Sequence, residues 1–342
     1  MKKNLSVDER FELVIRNTEE ILGEVELKEL LKKKKKPVVY IGTAITRSPH
    51  VAYFTWAIKL ADFLKAGFKV KILLADLHGA LDNTPWNVLE KRYNYYKKII
   101  PLMFESIEVS IKNLEFVKGS DFELKKDYQE DLLKLTTIAS VKGSMKAASE
   151  VVKHGNNPKV SGLIYPLMQA LDEEYLGVDI QYGGVDQRKI FVFAGEILPK
   201  INYKKRIHVM TPILPGLIGE KMSSSDTRSK IDLLDDETTV KTKIKNAECI
   251  AGNSNNGLMA FLRYVIFVIK NDKNEKLVIE RDKKYGGNLI YDNYVSLEKD
   301  FVNKKLHPLD LKNALAKEVN FLLSSMRKKH KKLSRFHKEA YR

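Results

Sequence analysis

Two short runs of apolar and β-branched residues, separated by an amphipathic segment, constrain the fold of this chain more than any other feature. The runs are residues 38–43 and 70–75. Between them, apolar residues recur at helical spacing from position 54 to position 64, and Gly67 marks the predicted helix end. Strand, helix and strand within about 40 residues predict a βαβ unit with two parallel strands. The predicted fold class is therefore α/β.

Ligands in folds built from such units bind beyond the carboxyl ends of the strands. Ser48 and Pro49 predict that the connecting helix starts there, because serine is a favoured N-cap and proline is favoured at the first helical position. His50 would then lie at a helix N-terminus, which attracts phosphate, although a structural cap is the alternative. The same sheet edge would carry Tyr40, Gly42, Thr43, Ala75, Asp76 and His78.

The remaining pattern is largely helical. We predict helix over residues 6–35, over most of 86–170 with an extended piece at 114–117, and over 190–200. Residues 207–210 are predicted as a further strand. Beyond residue 226 the pattern is helical and basic, and a domain boundary is expected near 228–235.

Length and charge fit a two-domain protein with a polyanionic partner. The chain has 342 residues and a formal net charge of +16 at pH 7. Residues 321–342 hold eight lysines and arginines against the single acid Glu339, although lysine-rich genomic bias is the alternative explanation. The lone cysteine, Cys249, excludes an internal disulfide and a cysteine-based zinc site. With neither an apolar leader nor a membrane-length apolar run, we expect a cytoplasmic protein without membrane contact.

Two polar loops have the chemistry of a ligand site. Gly183 and Gly184 let backbone approach a ligand closely, and an aspartate and an amide follow them. Residues 219–226 place the ammonium of Lys221 beside three consecutive serine hydroxyls, which suits polyphosphate oxygens. The alternative is a pair of ordinary surface loops.

A third candidate site lies on one predicted helix. Tyr165, Gln169 and Asp172 fall on one helical face, and their neighbours are apolar. A buried phenol, amide and carboxylate are costly unless they bind something. A polar surface stripe is the alternative.

These segments together resemble the tyrosyl-tRNA synthetases of the eukaryotic and archaeal type. Lys-Met-Ser-Ser-Ser at 221–225 resembles the KMSKS signature of class I aminoacyl-tRNA synthetases, with Ser224 in place of the second lysine. Residues 49–53 stand where the family carries its HIGH motif, with Tyr53 in place of the second histidine. Residues 183–189, 284–288 and 306–312 also resemble family segments.

The resemblance implies a Rossmann-like parallel-sheet catalytic domain, residues 1–230, followed by an all-α anticodon-binding domain, residues 231–342. It implies activation of L-tyrosine with ATP and Mg²⁺, transfer to tRNA(Tyr), and a homodimer formed through a helical insertion around 115–160. No protein-bound metal is expected.

The resemblance also assigns roles residue by residue. The expected catalytic residues are His50, Lys221, Ser223, Ser224 and Ser225. The expected tyrosine-binding residues are Tyr40, Gly42, Ala75, His78, Tyr165, Gln169, Asp172 and Gln187. The expected ATP-binding residues are Thr43, His50, Tyr53, Gly183, Gly184, Asp186 and Lys221. The expected anticodon-binding residues are Tyr285, His307 and Asp310.

Within this assignment Tyr40 and Asp172 would hydrogen-bond the phenolic hydroxyl of the substrate. That pair argues against the related enzyme for tryptophan, whose indole has no hydroxyl at this point. A non-catalytic RNA-binding relative is the second alternative, and the intact His50 and Lys221 argue against it. By pattern alone, Tyr285 would be a packed loop aromatic and Asp310 a helix cap.

Overall fold

The computed structural model describes residues 5–152, 155–218 and 230–341. A six-stranded sheet with the order β1-β6-β5-β2-β3-β4 forms its centre. The strands are β1 (Glu20–Leu22), β2 (Val38–Ala44), β3 (Lys69–Ala75), β4 (Leu114–Lys118), β5 (Ile180–Gly184) and β6 (Ile207–Thr211). All neighbours pair in parallel except β1, which runs antiparallel to β6 at the edge. The predicted α/β class with a mostly parallel sheet is confirmed.

Helices connect and cover these strands. The first half contains α1 (Val7–Ile15), α2 (Glu24–Lys33), α3 (Tyr53–Lys65), α4 (Asp76–Leu81), α5 (Leu89–Ser106), α6 (Ser120–Glu123), α7 (Lys126–Ile138), α8 (Val141–Ala148), α9 (Val160–Tyr175) and α10 (Arg188–Ile197). The second half contains α11 (Glu237–Asn246), α12 (Gly257–Phe261), α13 (Phe267–Asp272), α14 (Tyr294–Val302), α15 (Pro308–Leu322), α16 (Ser324–Lys328) and α17 (His330–Tyr341). None of the described helices is long and apolar enough to cross a membrane.

The predicted βαβ unit is present as β2, α3 and β3. Strands β2 and β3 pair in register from Val38 opposite Lys69 to Ala44 opposite Ala75. Their apolar side chains are buried in the main core, as expected for a parallel strand covered on both faces. The helix, however, begins at Tyr53 rather than at Ser48 and Pro49, and no side chain caps it. The predicted helix start is wrong because residues 49–51 pair with another segment, described below.

The prediction that residues 6–35 are helical is confirmed for α1 and α2 but wrong for the segment between them. Asn17 adopts a left-handed conformation after α1, and Gly23 does so before α2. Between them β1 joins the sheet, and the amide of Glu19 donates to the carbonyl of Met210 at 2.8 Å. A three-residue edge strand has too short a pattern to be recognised, because only its pairing with β6 defines it.

A second apolar cluster lies under the candidate pocket, between α7, α9 and α10. Tyr128, Leu132 and Leu135 of α7 are buried there together with Leu171 of α9 and Phe193 of α10. This packing fixes the polar face of α9 relative to the sheet.

The second half is helical apart from a two-stranded antiparallel ribbon, β7 (Leu277–Ile279) and β8 (Leu289–Tyr291). The all-α expectation for this part misses the ribbon. Helix α17 packs along α5, where the side chain of Arg92 donates to the carbonyl of Ala340 at 3.2 Å. Asp272 accepts from Arg16 at 2.6 Å and from Lys65 at 2.5 Å, so charged bonds link the two halves.

Candidate active site

The carboxyl ends of β2, β3 and β5 and the polar face of α9 converge at one edge of the sheet. Tyr40 of β2 is fully buried, and its hydroxyl donates to the backbone carbonyl of Gln169 at 3.3 Å. Burial, and then the nearby carboxylate of Asp172, raise the pKa of Tyr40 well above its ordinary value. Gly42 lies exposed on β2, and Ala75 ends β3 in a buried position.

Asp172 is the acid at the closed end of this site. It is 1% exposed, and the hydroxyl of Tyr128 donates to its Oδ1 at 2.8 Å. Burial, and then the neighbouring acid Glu123, raise the pKa of Asp172 well above its ordinary value, while His78 and Tyr128 act in the opposite direction. The carboxylate is therefore held where a hydrogen-bond donor on a ligand would relieve the cost of its burial.

His78 lies between two buried acids. Its Nδ1 is 3.5 Å from Oε1 of Glu123, and its Nε2 is 3.8 Å from Oδ2 of Asp172. Burial acts to lower the pKa of His78, but Glu123, Asp172 and Asp76 together raise it above its ordinary value. The three residues have ligand types that suit a divalent cation, and one ligand atom from each lies within 4.8 Å of the others. The two ring nitrogens face different acids, however, so the imidazole bridges the carboxylates.

Sequence analysis missed Glu123 and Tyr128. Tyr128 recurs with Leu132 and Leu135 at helical spacing, so it has the pattern of a core aromatic, and no spacing links it to Asp172. Glu123 ends a four-residue helix and carries no pattern at all. Both reach the site only because α6 and α7 pack beside α9.

The open end of the pocket carries two amides and a phenol. Nε2 of Gln169 donates to Oε1 of Gln187 at 3.1 Å, which joins α9 to the turn after β5. The ring of Tyr165 stands edge-on to that of His78, with centroids 4.7 Å apart. The predicted stripe of Tyr165, Gln169 and Asp172 therefore lines one site, and the surface alternative is wrong for it.

Gly183 and Gly184 end strand β5, and a 3₁₀ turn, Val185–Gln187, follows them. A Cβ on Gly183 would lie 2.9 Å from the ring of Phe191. A Cβ on Gly184 would lie 2.7 Å from Oδ1 of Asp186. The sequence predicts the two glycines in a polar loop, but they end strand β5, and the turn begins at Val185. A side chain at either glycine would require its neighbours to move.

His50 lies in the segment that joins β2 to α3. It is 6% exposed and forms an isolated antiparallel bridge with Asp232, and its Nδ1 has no hydrogen-bond partner among the described residues. Burial, and then the charge of Lys230, lower the pKa of His50 to about 4, so the imidazole is neutral at physiological pH. Its ring meets that of Tyr53 edge-on at 5.4 Å, and the Tyr53 hydroxyl is 3.3 Å from Oγ1 of Thr43.

The first signature segment is bonded through its backbone to residues 231–233. The amide of Val51 donates to the carbonyl of Ile231 at 2.9 Å, and the amide of Leu233 donates to that of Pro49 at 3.4 Å. Residues 49–51 are thus tied to the segment that follows the lysine-serine loop. The catalytic candidates of that loop, Lys221, Ser223, Ser224 and Ser225, lie outside the described residues.

The anticodon candidates lie on the ribbon and at the start of α15. Tyr285 is 65% exposed at the ribbon tip, so its prediction as a packed loop aromatic is wrong. Arg281 donates to the carbonyls of Gly287 at 2.9 Å and Lys305 at 3.4 Å, which holds that tip near the segment leading into α15. The helix is capped by Nδ1 of His307, which accepts from the amide of Leu309.

Asp310 lies in the first turn of α15, so its prediction as the helix cap is wrong. Its carboxylate makes no hydrogen bond or ion pair within the described ranges.

The whole chain is similar to known tRNA synthetases. Residues 32–324 match the family described as tRNA synthetases class I (W and Y). The cytoplasmic tyrosine--tRNA ligase of Danio rerio is 50% identical over 96% of this chain, which spans 62% of that relative's length. The corresponding Saccharomyces cerevisiae protein is 46% identical, with 94% of this chain and 84% of the relative covered.

A solved structure agrees with these sequence relatives. Tyrosyl-tRNA synthetase from Archaeoglobus fulgidus, complexed with L-tyrosine, superposes with a TM-score of 0.88 at 37% identity. The match covers 95% of this chain and 100% of that one. With its parallel sheet, its site at the carboxyl edge and these relatives, this chain belongs to the W and Y family of class I tRNA synthetases.

Proposed function

We propose that this chain activates L-tyrosine with ATP to form tyrosyl-adenylate and then transfers the tyrosyl group to the 3′ end of tRNA(Tyr). The main support for the proposal is the buried carboxylate of Asp172. It provides a hydrogen-bond acceptor for a phenolic hydroxyl at the closed end of the pocket. The names of the relatives, tyrosine--tRNA ligases, support the same substrate.

The polar groups at the closed end of the pocket, Asp172, Glu123 and His78, form the pocket floor. This floor explains how phenylalanine would be rejected. An aromatic side chain without a hydroxyl would cover Asp172 and leave a buried acceptor unpaired, and that desolvation penalty falls on the wrong substrate alone. Tyrosyl-tRNA synthetases are the reference case for this kind of discrimination. We propose that the hydroxyl of Tyr40 also contacts the substrate phenol. Its bond to the Gln169 carbonyl is long, at 3.3 Å, so this bond can be exchanged for one to the substrate.

We propose that the side chains of Tyr165, Gln169 and Gln187 bind the ammonium group of the substrate. The joined amides of Gln169 and Gln187 lie between the aromatic pocket and the end of β5, where the reacting carboxylate would lie. Positioning of this kind supplies much of the rate in such reactions.

In the first step an oxygen of the tyrosine carboxylate attacks the α-phosphorus of ATP. The bond from that phosphorus to the bridging oxygen breaks, and pyrophosphate leaves. A neutral His50 donates one N–H to a phosphate oxygen without adding a full charge, in agreement with its lowered pKa. We propose that Thr43, Tyr53 and Asp186 border the nucleotide, which binds as its Mg²⁺ complex, and that Lys221 with its serines contacts the pyrophosphate.

In the second step the terminal ribose hydroxyl of tRNA attacks the carbonyl carbon, and AMP leaves. We assign recognition of the anticodon to Tyr285, His307 and Asp310, in a domain of residues 231–342 that follows a catalytic domain of residues 1–230. An exposed tyrosine is a stacking face for an unpaired base, and a free carboxylate accepts from a guanine edge.

We also propose a homodimer formed through the segment around residues 115–160. Large apolar side chains in this segment are more than 60% exposed: Leu124, Leu133, Val141 and Val160. Such exposure is typical of a surface that a partner covers. The relatives are named cytoplasmic, and we propose the same location here.

Amino-acid-dependent exchange of pyrophosphate into ATP tests the proposal. Tyrosine should support exchange, while phenylalanine and tryptophan should not, and charging of tRNA(Tyr) should follow. Exchange driven by tryptophan, or none with any amino acid in a folded and ATP-binding protein, would overturn it.

A further inference from the structure

The closed end of the pocket carries one more acid than recognition of a phenol requires. Asp172 alone supplies an acceptor for the substrate hydroxyl. Glu123 is 0% exposed beside it, and neither of its carboxylate oxygens has a hydrogen-bond partner among the described residues. A buried carboxylate with no hydrogen bond is costly to keep even with the His78 ring 3.5 Å away, and recognition of the substrate hydroxyl by Asp172 does not explain it.

The position of Glu123 is fixed by its own backbone. Its amide donates to the carbonyl of Gly119 at 2.9 Å, and its carboxylate folds over that glycine. A Cβ on Gly119 would lie 2.8 Å from both carboxylate oxygens and 2.9 Å from Oδ1 of Asp76. Because backbone lies directly beneath it, the acid has no room to withdraw from the pocket.

The pocket floor has two acids, Glu123 and Asp172, around one imidazole. The imidazole of His78 faces both acids, 3.5 Å from Glu123 and 3.8 Å from Asp172. Asp76 is already occupied, since it accepts from the amide of Ser120 at 2.9 Å and from its hydroxyl at 2.6 Å. Two buried carboxyl groups thus face one imidazole on the side of the pocket that would meet the substrate phenol.

Further titratable groups near the floor are the buried acid Glu173, which lies 2.8 Å from His208, and three phenols. The phenols come from β2, α7 and α9, and burial raises the pKa of each above its ordinary value: Tyr40, Tyr128 and Tyr165. These phenols stay neutral and do not supply a positive charge to the floor. The substrate phenol is therefore bound among two acids, one imidazole and neutral hydroxyls.

We propose that Glu123 makes the pocket selective for a neutral phenol over an ionised one. In the bound complex an ionised phenol would lie beside the carboxyl groups of Asp172 and Glu123 with a single imidazole between them, and like-charge repulsion disfavours it relative to a neutral phenol. This inference rests on the proposed function, because it concerns the same tyrosine pocket. It assigns Glu123 the role of a specificity-determining residue.

The probe is 3,5-difluorotyrosine, which is close to tyrosine in size but has a phenol that ionises near neutral pH. The measurement is kcat/KM for pyrophosphate exchange with each amino acid, expressed as the ratio of difluorotyrosine to tyrosine from about pH 6 to about pH 9. Tyrosine remains a neutral phenol over most of that range. The ratio cancels both the fraction of active protein and any ionisation shared by the two reactions.

In the wild-type protein the ratio should fall about tenfold for each pH unit above the pKa of the fluorinated phenol. Glu123→Gln removes one negative charge from the floor, so its ratio should fall less steeply. Glu123→Asp keeps the charge and should restore the wild-type slope. Glu174→Gln is the matched control, since Glu174 pairs with Arg206 outside the pocket, and its ratio should follow that of the wild-type protein.

A pH-independent ratio in the wild-type protein would overturn the inference, as would an identical slope in the wild-type protein and Glu123→Gln. Absence of tyrosine-dependent exchange in the wild-type protein is a different result, because it overturns the proposed function itself. If Glu123→Gln fails to fold, Glu123→Ala takes its place: a slope less steep than that of the wild-type protein supports the inference, and an identical slope refutes it.

Discussion

Tyr128→Phe is the most direct test of how the structure prepares Asp172. The substitution removes one hydroxyl and leaves a buried ring whose contacts with Phe122 and Tyr175 are unchanged. The lost bond is the 2.8 Å donation to Oδ1 of Asp172. The same hydroxyl lies 2.9 Å from the carbonyl of Met168, so its single proton is shared between two acceptors.

The magnitude follows from the charge of the acceptor. A hydrogen bond to a charged group contributes about 1.5–3 kcal/mol, which sets an upper limit of roughly a ten- to 150-fold loss in kcat/KM for tyrosine, since the bond is present in the free protein too. The loss should appear mainly in KM, because Asp172 holds the phenol in the ground state and the transition state alike. Tyr128 also acts against the elevation of the Asp172 pKa, so its removal should shift the acid limb of the profile to higher pH.

The assay is tyrosine-dependent pyrophosphate exchange as a function of pH. The matched control is Tyr175→Phe, which removes a 2.8 Å hydroxyl bond to Asp131, away from the pocket. Both variants should lose some thermal stability, but only Tyr128→Phe should raise KM. If the two variants had the same KM for tyrosine as the wild-type protein, the Tyr128 hydroxyl would have no part in preparing Asp172.

Four further predictions address other parts of the molecule. The pKa of His50 is lowered to about 4, so the unfolded chain binds more protons than the folded one below the ordinary value of about 6.5. Folding should therefore lose up to about 3 kcal/mol as pH falls across that window, and urea unfolding should show a smaller loss for His50→Asn. Asp310→Ala should reduce charging of tRNA(Tyr) and discrimination at the first anticodon base while leaving pyrophosphate exchange intact; loss of thermal stability alone would return Asp310 to a structural role. Replacing the exposed Lys331 and Lys332 with glutamine should reduce the salt dependence of tRNA binding by about one logarithmic unit of slope per lost phosphate contact, and an unchanged slope would make them solvated charges. Leu133→Asp should shift the sedimentation coefficient toward that of a monomer, whereas an unchanged dimer would exclude this side chain from the interface.

Removal of residues 327–342 would not be a clean test of the basic C-terminal segment, because part of this segment packs on the core. Leu333 and Ala340 of α17 are buried, and the guanidinium of Arg92 lies 4.9 Å from the ring centroid of Tyr341. Truncation would expose the side of α5 as well as remove charge. Charge-neutralising substitutions at exposed lysines separate the two effects.

Much of the fold could be predicted from local sequence patterns. The alternation between short apolar runs and helical spacing is set by neighbouring residues, so β2, β3 and β6 could be predicted from sequence. The same holds for Tyr165, Gln169 and Asp172, because helical geometry alone places them on one face of α9. Where a structure depends on residues close in the chain, its periodicity is visible in the sequence.

Only the tertiary structure decided the features that join distant segments. Edge strand β1 exists because it pairs with β6, and α3 starts late because residues 49–51 bond instead to residues 231–233. Tyr128 and Asp172 lie 44 positions apart, and nothing between them encodes their 2.8 Å contact. The chemistry of the pocket floor depends on this packing of α6, α7 and α9, since burial and like charge set the protonation of Asp172. A sequence pattern shows on which face of its own helix or strand a residue lies. The packing of the whole chain determines which other element that face contacts.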